Sequence, residues 1–586
     1  MFDGKTNGGS SISINESRAI SRSTVNSRHP LNVKPLGNKY LQCDDGVQKQ
    51  CSKEAQMGYF SILPEELVLE ILTYINNEKA LKNLSHTSRI MYAYCFDEEL
   101  WKRLYIRRVT SADGSANIDW KGSWRASILC INEEDQSKIQ LRDNLLCSDL
   151  LYRPYQCSQI DYEKVFHRVL KEEESASKYA LATANGIDSA LENLTKGRIA
   201  RIDEKSLTLG EFNERLNDKP FILTNSDPKR WPSWDLEELI NRFPDVKFRQ
   251  EAVQWPLSLY AKYLKNNQDE SPLYLFDCRS TAMKTLREEY TVPEVFQEDL
   301  FSVFQVGELN CRPDHAWLIV GPARSGSTFH KDPNNTSAWN AAISGRKLWI
   351  MFPPRVLPPG VGTDKEESEV TSPVGLAEWV ISGFYNDAEK DERCLIGMTF
   401  PGECMYVPAG WWHSVINIDD SIALTQNFVP SSKLVHVLQF FGSKRDQISG
   451  FSLSQFLSTV DKLDSIVQNE NDNIKSLREY RNKVESLQHK TDLVSEDCGE
   501  LSTTLLPPMP IRELFEELLI LNGKSKQLND AIEHLTTLES TEGPKSNSKN
   551  IWSTAVKPFI AEKESTTEPF SFGFDLDESS DEEKDN

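Results

Sequence analysis

The chain has 586 residues, a length at which several domains, each with its own hydrophobic core, are expected. Its 66 basic and 88 acidic residues give a formal net charge of −22. Because proteins that bind nucleic acid through bulk charge need an excess of cations, this balance argues against that class, and no direct nucleic-acid binding is expected.

The cysteines and the apolar runs indicate the cellular compartment of the protein. The chain is too long for a disulfide-stapled miniprotein, and its 11 cysteines show no C-x-x-C pair and no regular framework, which favours reduced thiols. The first residues lack the apolar core of a signal peptide, and no apolar run approaches the roughly 18 residues of a membrane span. We therefore expect a soluble intracellular protein of the nucleus or the cytoplasm, without membrane contact.

The N-terminal quarter changes composition at residue 57. Residues 1–56 are rich in Ser, Asn, Gly and Lys and predict a disordered arm. From 57 to 105, apolar residues recur at helical spacings, and Pro64 followed by two glutamates is typical of a helix start. A helical module is predicted there, and a helical connector over 106–197, in which 170–194 is the clearest helix.

The rest of the chain comprises a β-rich region followed by two further segments. Many short apolar runs separated by Pro, Gly and Asp, over 198–432, predict a sandwich or barrel. The stretch 355–393 within it is rich in Pro, Gly and acids and is predicted to be a surface loop. Helical patterns over 433–540 predict a small bundle or a partner-binding hairpin, and 541–586 is an acidic tail predicted to be disordered.

Two histidines and an aspartate in the β-rich region suggest a metal site. In GSTFHKDP, His330 and Asp332 are two residues apart, so on a strand both point to one face. His413 in PAGWWHSVINI is the natural third ligand, completing the 2-His-1-carboxylate set of non-haem Fe(II) oxygenases. With nine histidines, one such spacing is expected by chance, so ordinary packed or surface histidines remain the alternative.

A cation and a hydroxyl lie in two other predicted strands. Lys347 starts a strand after an SGR turn, and Thr425 lies in the strand that follows His413. Such groups near an iron suit the distal carboxylate of a dicarboxylate cosubstrate.

The region 198–432 resembles the JmjC family of Fe(II)/2-oxoglutarate dioxygenases. The resemblance is to the branch of nuclear lysyl hydroxylases also described as arginine demethylases, or as phosphatidylserine-receptor-like proteins. It implies a multidomain α+β protein whose JmjC domain is a double-stranded β-helix, a cupin-like jelly roll flanked by an N-terminal helical module and C-terminal helices. The matching segments are ESPLYLFD (270–277), GPARSGSTFHKDP (321–333), TSAWNAAISGRKLWIMFP (336–353) and PGECMYVPAGWWHSVINIDDSIALTQNF (401–428).

The resemblance also implies roles for individual residues. His330, Asp332 and His413 would hold Fe(II). The remaining positions would bind 2-oxoglutarate: Lys347 pairs with its C5 carboxylate, Tyr274 and Thr425 hydrogen-bond the same group, Asn340 lines the pocket, and Ser327 takes a position of small or hydroxyl residues.

The implied activity is O2-dependent oxidation of a protein substrate, by lysyl hydroxylation or by histone- or arginine-demethylation chemistry. A basic or histone-like substrate is expected. Lys331, between two proposed ligands, and the 355–393 stretch depart from the family pattern, so the substrate, the modified residue and the choice between the two outcomes stay open.

Residues 57–105 resemble an F-box, the helical module that binds the Skp-family adaptor of cullin ubiquitin ligases. Leu63, Pro64 and Leu67 would then contact the adaptor. Two alternatives remain: an ordinary amphipathic helical pair, or a ligase adaptor whose JmjC domain only binds targets and has no catalytic activity.

Overall fold

The computed structural model describes residues 53–110, 119–137, 155, 160–182, 197–368, 370–371, 375–467, 470–492 and 506–541. Residues 1–52 of the predicted arm, and all of the predicted acidic tail beyond residue 541, lie outside these ranges. No helix within them is long and apolar enough to cross a membrane.

The chain divides into two compact units. The first comprises the described residues of Met1–Val295 together with Ala316–Lys331 and Ala338–Gln426. The second comprises Phe296–His315, Asp332–Ser337 and the described residues of Asn427–Asn586.

The first unit begins with short helices, as the apolar spacing predicts. Pro64 directly precedes the second helix, and Glu65 and Glu66 occupy its first turn. Leu72 and Leu81 are buried, whereas Leu67 is 48% exposed and does not join the core. The helices are α1 (Lys53–Met57), α2 (Glu65–Thr73), α3 (Glu78–Ser85), α4 (Arg89–Cys95) and α5 (Glu98–Thr110).

The predicted connector is mostly helical in its described residues. Its helices are α6 (Trp124–Leu129), α7 (Glu133–Ser137), α8 (Tyr162–Val165) and α9 (His167–Ala182). The predicted helix over 170–194 coincides with α9 as far as Ala182, and 183–196 lie outside the described residues.

The N-terminal helices share an aromatic core with the β-rich region. The Tyr105 ring packs edge-on against Trp124 and Trp255, with centroids 5.2 and 5.8 Å apart. The Trp124 indole Nε1 donates to both carboxylate oxygens of Asp269 at 2.9 Å, and Tyr263 Oη donates to Asp269 Oδ2 at 2.7 Å. The helical module is therefore continuous with the core of the first unit.

Two sheets make up most of the β-rich region, in agreement with the predicted sandwich or barrel. One has the strand order β1-β2-β15-β10-β17-β8-β5-β3-β4 and the other β14-β11-β16-β9. Strands β1 and β2 pair in parallel, whereas β10–β15, β11–β16, β9–β16 and β8–β17 are antiparallel pairs. In chain order the strands are β1 (Ala200–Asp203), β2 (Phe221–Thr224), β3 (Lys247–Gln250), β4 (Val253–Pro256), β5 (Leu275–Asp277), β6 (Gln305–Val306), β7 (Leu309–Asn310), β8 (Ala316–Gly321), β9 (Gly326–His330), β10 (Ser337–Ser344), β11 (Lys347–Phe352), β12 (Gly362–Thr363), β13 (Val370–Thr371), β14 (Leu395–Thr399), β15 (Cys404–Val407), β16 (Trp412–Asn417) and β17 (Ser421–Phe428).

Short helices connect these strands. They are α10 (Leu209–Glu211), α11 (Leu236–Arg242), α12 (Leu257–Lys265), α13 (Thr281–Leu286), α14 (Leu376–Ile381) and α15 (Phe384–Lys390).

Alternation along β11 shows where the core lies. Trp349 and Met351 pack with Met405 and Ile222 of the larger sheet, so they face the space between the two sheets. The intervening side chains, of which Leu348 is one, pack on the opposite face against α14. Because both faces of β11 are covered, its sequence KLWIMF reads as an almost continuous apolar run.

The prediction of a surface loop over 355–393 is wrong for its second half. Helix α14 is buried along its whole length, and Trp379 and Val380 join the core on the outer face of β11. The acidic and proline-rich residues of the first half obscured the segment LAEWVI, which is apolar except for Glu378 and long enough for less than two helical turns.

The second unit is mainly helical, as predicted for 433–540. Phe301, Phe304 and Phe515 pack closely at its centre, together with apolar residues from all of the helices that follow residue 433. These helices are α16 (Leu434–Ser443), α17 (Leu453–Ile466), α18 (Asp472–Asp492), α19 (Ile511–Leu521) and α20 (Ser525–Thr541).

Candidate active site

Strand β16 carries His413 on the face that lies between the two sheets. Its residues alternate: Trp412 and Ile416 belong to the outer core, and Val415 belongs to the core between the sheets. His413 therefore shares the inward face of Val415. Burial lowers the pKa of His413 to about 4, so its ring is neutral near pH 7, as a metal-binding imidazole must be.

A β-bulge in β9 brings His330 opposite His413. His330 pairs with His413 and Ser327 pairs with Val415, so three steps on β9 match two steps on β16. Because of the extra residue, Ser327 and His330 both lie on the inward side, which strict alternation over three residues would not allow. The bulge thus places a predicted cosubstrate residue and a predicted metal ligand on one face.

Gly326 makes the close pairing of β9 with β16 possible. Its φ is +153°, and a Cβ at this position would lie 2.0 Å from the carbonyl oxygen of Val415. Any larger residue would push the two strands apart at the start of β9.

The predicted metal ligands converge. In the part of the chain that the structure describes, ligand atoms of His330, Asp332 and His413 all lie within 4.8 Å of one another. The two imidazole ring centroids are 4.2 Å apart. Two nitrogens and one carboxylate oxygen form the donor set typical of a non-haem Fe(II) centre with open positions.

Hydrogen bonds orient both imidazoles for such a role. His330 Nδ1 lies 2.8 Å from the carbonyl oxygen of Thr328, and His413 Nδ1 lies 3.1 Å from that of Trp411. A carbonyl oxygen only accepts, so each Nδ1 carries the proton and each Nε2 keeps its lone pair for a metal ion. The chemistry of these three side chains therefore fits an Fe(II) ion.

Lys347 is a fully buried cation next to this face. Its ammonium donates to Asn417 Oδ1 at 2.8 Å and to Tyr274 Oη at 3.1 Å, and both acceptors are neutral. Burial lowers the Lys347 pKa to about 7 and raises that of the Tyr274 phenol. Since a buried charge is costly until an opposite charge approaches it, this cluster is suited to bind an anion such as a carboxylate.

Thr425 and Asn340 lie in neighbouring strands of the larger sheet. The Thr425 hydroxyl donates to the carbonyl oxygen of Trp339 at 2.9 Å. Thr425 is two residues after Ala423 on β17 and so shares its face, and Ala423 belongs to the apolar cluster against which Tyr274 packs. Asn340 shares the inward face of Ala338, and its buried Oδ1 has no hydrogen-bond partner among the described residues. Asn340 Oδ1 can accept a hydrogen bond from a ligand. The Thr425 hydroxyl can donate to a ligand carboxylate only by turning away from the Trp339 carbonyl oxygen.

Sequence reasoning missed Asn417 and Ser325. Asn417 Nδ2 donates to Ser325 Oγ at 2.9 Å, and this contact aims its Oδ1 at Lys347. A signal was present, because Asn417 is four residues after His413 on the same strand and therefore shares its face.

Lys331, the residue between two metal ligands, connects β9 to the loop after β11. Its ammonium forms an ion pair with Glu367 at 2.6 Å, donates to the carbonyl oxygen of Pro354 at 3.0 Å and lies 4.6 Å from the Trp412 ring centroid. The two places where the sequence departs from the family pattern are therefore in direct contact.

The residues proposed for adaptor binding border an exposed apolar surface. Leu63 is partly buried, Pro64 is exposed and Leu67 is 48% exposed. We call the exposed large apolar residues around them the N-terminal apolar surface, and its members are Tyr59, Phe60, Ile62, Leu67, Ile71 and Tyr74.

Two family models match the chain. Residues 163–433 match the cupin-like domain, and residues 60–107 match the F-box-like domain. The first range contains all the predicted metal and cosubstrate residues, and the second contains the predicted adaptor contacts. The cupin-like fold and the F-box-like module predicted from sequence are confirmed.

Several known proteins are similar to a third or more of this chain. Arginine-specific demethylase JMJ22 of Arabidopsis thaliana is 33% identical over 420 residues, which are 70% of this chain and 75% of that protein. The bifunctional arginine demethylase and lysyl-hydroxylase psr-1 of Caenorhabditis briggsae is 33% identical over 286 residues, 46% of this chain and 70% of that protein. The 2-oxoglutarate and iron-dependent oxygenase JMJD4 of Mus musculus is 28% identical over 200 residues, 33% of this chain and 44% of that protein.

Proposed function

This chain belongs to the cupin-like JmjC family, and from that membership we propose that it is an Fe(II)- and 2-oxoglutarate-dependent oxygenase that modifies a protein side chain. The observation that carries the proposal in this chain is the convergence of His330, Asp332 and His413, together with the buried Lys347, whose hydrogen-bond partners among the described residues are the neutral Asn417 and Tyr274.

In this proposal each residue of the site has a defined task. His330, Asp332 and His413 hold the iron, and Lys347 neutralises the distal carboxylate of 2-oxoglutarate. Tyr274 and Thr425 supply hydroxyl groups to that carboxylate. Asn340 and Ser327 line the same face, and the orphaned amide oxygen of Asn340 is available to a ligand.

The bound iron, with 2-oxoglutarate and O2, supplies an oxidant for a substrate C–H bond. One oxygen atom enters that bond, and the other converts 2-oxoglutarate into succinate and CO2, so atoms and electrons balance. Hydroxylation of a side-chain carbon stops there. Hydroxylation of an N-methyl group gives a product that releases formaldehyde, and the net result is demethylation.

The substrate class that we propose is a basic, histone-like protein segment containing arginine or lysine. The relatives support this class, because the names of JMJ22 and psr-1 specify arginine demethylation and, for psr-1, lysyl hydroxylation as well. In both reactions the substrate residue has a long cationic side chain, which must reach the metal centre.

The experiment is intact-mass analysis of basic peptides, unmethylated and arginine-methylated, after incubation with the full-length protein, Fe(II) and 2-oxoglutarate. Gain of one oxygen indicates hydroxylation and loss of one methylene indicates demethylation. We expect His330→Ala to abolish either change and His86→Ala, at an exposed histidine, to leave it intact. Absence of both products for the native protein on every peptide would contradict the proposed substrate class.

A second function is favoured by the N-terminal apolar surface. We propose that it binds the Skp-family adaptor of a cullin ubiquitin ligase, so that the oxygenase domain also presents targets to the ligase. Tyr59, Ile62 and Tyr74 are 93%, 80% and 71% exposed, and apolar groups clustered in this way are typical of a protein–protein interface.

A pull-down with purified Skp-type adaptor tests this second function. We expect Leu63→Ala/Pro64→Ala and Ile62→Asp to lose the adaptor. A matched control is Ile466→Asp, which changes an apolar residue that is 52% exposed in the second unit. Equal recovery of the adaptor by all variants would contradict the adaptor function and leave the oxygenase proposal untouched.

A further inference from the structure

The three residues that follow Asp332 form an unusual turn. Pro333–Asn335 is a single 3-10 turn, and Asn334 and Asn335 both have φ of 55°. Residues other than glycine rarely adopt this left-handed backbone conformation, and among them asparagine is one of those that tolerate it best. Two consecutive residues of this kind need external contacts to hold them in place.

Asn334 provides the strongest of those contacts. Its side chain is buried, with 3% exposure. Its Nδ2 donates to the carbonyl oxygen of Ser449 at 2.9 Å, and the Ser449 amide donates to Asn334 Oδ1 at 3.0 Å. Both ends of the amide are therefore used, as in a pair of backbone hydrogen bonds between two strands.

The next two residues each make one side-chain hydrogen bond to this part of the chain, whereas Asn334 makes two. Asn335 Nδ2 donates to the carbonyl oxygen of His436 at 3.2 Å, at an exposed position. Asn427 Nδ2 donates to the Thr336 hydroxyl at 2.8 Å. The turn is thus held through Asn334, Asn335 and Thr336 by Ser449, His436 and Asn427, and Asn334 is the anchor that bonds through both ends of its side-chain amide.

We propose that Asn334 is a positioning residue for the metal ligand Asp332. The proposal rests on the oxygenase function above. Asp332 is the N-cap of the turn, with φ of −62° and ψ of 145°, so the conformation that Asn334 fixes sets the direction in which the Asp332 backbone continues. Metal ligands must be held within a few tenths of an ångström, and residues that orient them contribute strongly to affinity.

Three variants of the full-length protein separate this role from others. Asn334→Gly removes both hydrogen bonds while glycine tolerates the left-handed φ. Asn335→Gly makes the same change at the neighbouring residue with the same φ, and so controls for added backbone freedom. Ser449→Ala is the second control, because both hydrogen bonds of Asn334 with Ser449 involve the Ser449 backbone, which this substitution leaves in place.

The measurement is Mn(II) affinity by EPR titration, with thermal unfolding of the metal-free protein alongside it. We expect Asn334→Gly to bind Mn(II) about 10- to 100-fold more weakly, the range found for residues that orient metal ligands. Asn335→Gly and Ser449→Ala are expected to stay within about twofold of the native protein. Equal affinity of Asn334→Gly and Asn335→Gly would overturn the proposal while leaving the oxygenase function standing.

Asn334→Asp gives an independent test if the glycine variant does not fold. It keeps an acceptor for the Ser449 amide and loses the donor. An added carboxylate near the metal would tighten Mn(II) binding by attraction alone, so weaker binding supports a positioning role and tighter binding overturns it. Absence of Mn(II) binding by the native protein would overturn the oxygenase function, and with it this proposal.

Discussion

Lys347 and Asn417 are direct partners on adjacent antiparallel strands, and the ammonium of the first donates to the amide oxygen of the second at 2.8 Å. The amide is in turn fixed by Ser325. A buried cation is thereby oriented by neutral groups, and its charge is left to be balanced by the distal carboxylate of the proposed cosubstrate.

Replacement of this cation tests its role. In Lys347→Met we expect the KM for 2-oxoglutarate to rise roughly 10- to 100-fold, because a charge-assisted hydrogen bond of about 1.5–3 kcal/mol is lost. The cosubstrate-free protein should become more stable, since methionine fills a similar volume without a buried charge. Initial rates over a range of 2-oxoglutarate concentrations and thermal unfolding check the two effects. An unchanged KM would contradict the assigned role.

The Lys347 pKa predicts a pH dependence of stability. Its value of about 7 in the folded protein lies below the usual 10.5, so between these values the unfolded chain binds more protons than the folded one. The destabilisation from this group is complete below about pH 7 and declines as pH rises towards 10.5. Relative to Lys347→Met, the native protein should gain up to about 1.4 kcal/mol per pH unit between pH 7 and 9. Parallel pH profiles of unfolding for the two proteins would refute this.

Gly326→Ala is expected to separate β9 from β16. The added Cβ would lie 2.0 Å from the Val415 carbonyl oxygen, so the protein should lose about 1–3 kcal/mol of stability and bind metal more weakly. Gly210→Ala is the matched control, since a Cβ there meets nothing within 4 Å in a helical turn. Thermal unfolding and Mn(II) titration of both variants make the comparison, and similar behaviour of the two would count against the bulge as the element that places His330.

The Lys331–Glu367 pair should affect the protein substrate more than stability. Its side chains are 20% and 31% exposed, so the pair contributes about 0–1 kcal/mol. In Glu367→Gln we expect a several-fold change in the KM for a peptide substrate and an unchanged KM for 2-oxoglutarate. The exposed neighbour Glu366→Gln is the control. Initial rates are measured with each substrate varied in turn. A change in both KM values together would contradict a role confined to the protein substrate.

Much of the site follows from strand periodicity in the sequence. The apolar run that contains Lys347 predicts a buried strand, and the site residues His330, Asp332 and His413 were predicted to converge. The expectation that His330 and Asp332 share a face of one strand is wrong, because β9 ends at His330 and Asp332 precedes the 3-10 turn that follows. The bulge in β9 was not predictable, because it depends on the register with β16 and on the absence of a Cβ at Gly326. The same holds for Asn417, whose polar character in an otherwise apolar strand gains meaning only beside Lys347.

The helices were predictable where amphipathic spacing extends over several turns, as in α17 and α18. Helix α14 was not, because its six residues, apolar except for the buried Glu378, span less than two helical turns and follow an acidic, proline-rich stretch. The packing of Trp124 onto Asp269 was also beyond sequence reasoning, since the two residues are 145 positions apart. Contacts of such separation are set by the tertiary fold rather than by local pattern.

The most direct test of the oxygenase function is succinate formation from 2-oxoglutarate by the purified full-length protein, with and without Fe(II), compared with His330→Ala. We predict iron-dependent succinate formation by the native protein and none by the variant, because the variant lacks one of three converging ligands. Absence of succinate with the native protein, or equal formation by His330→Ala, would contradict the assignment of His330, Asp332 and His413 as the metal centre of an oxygenase.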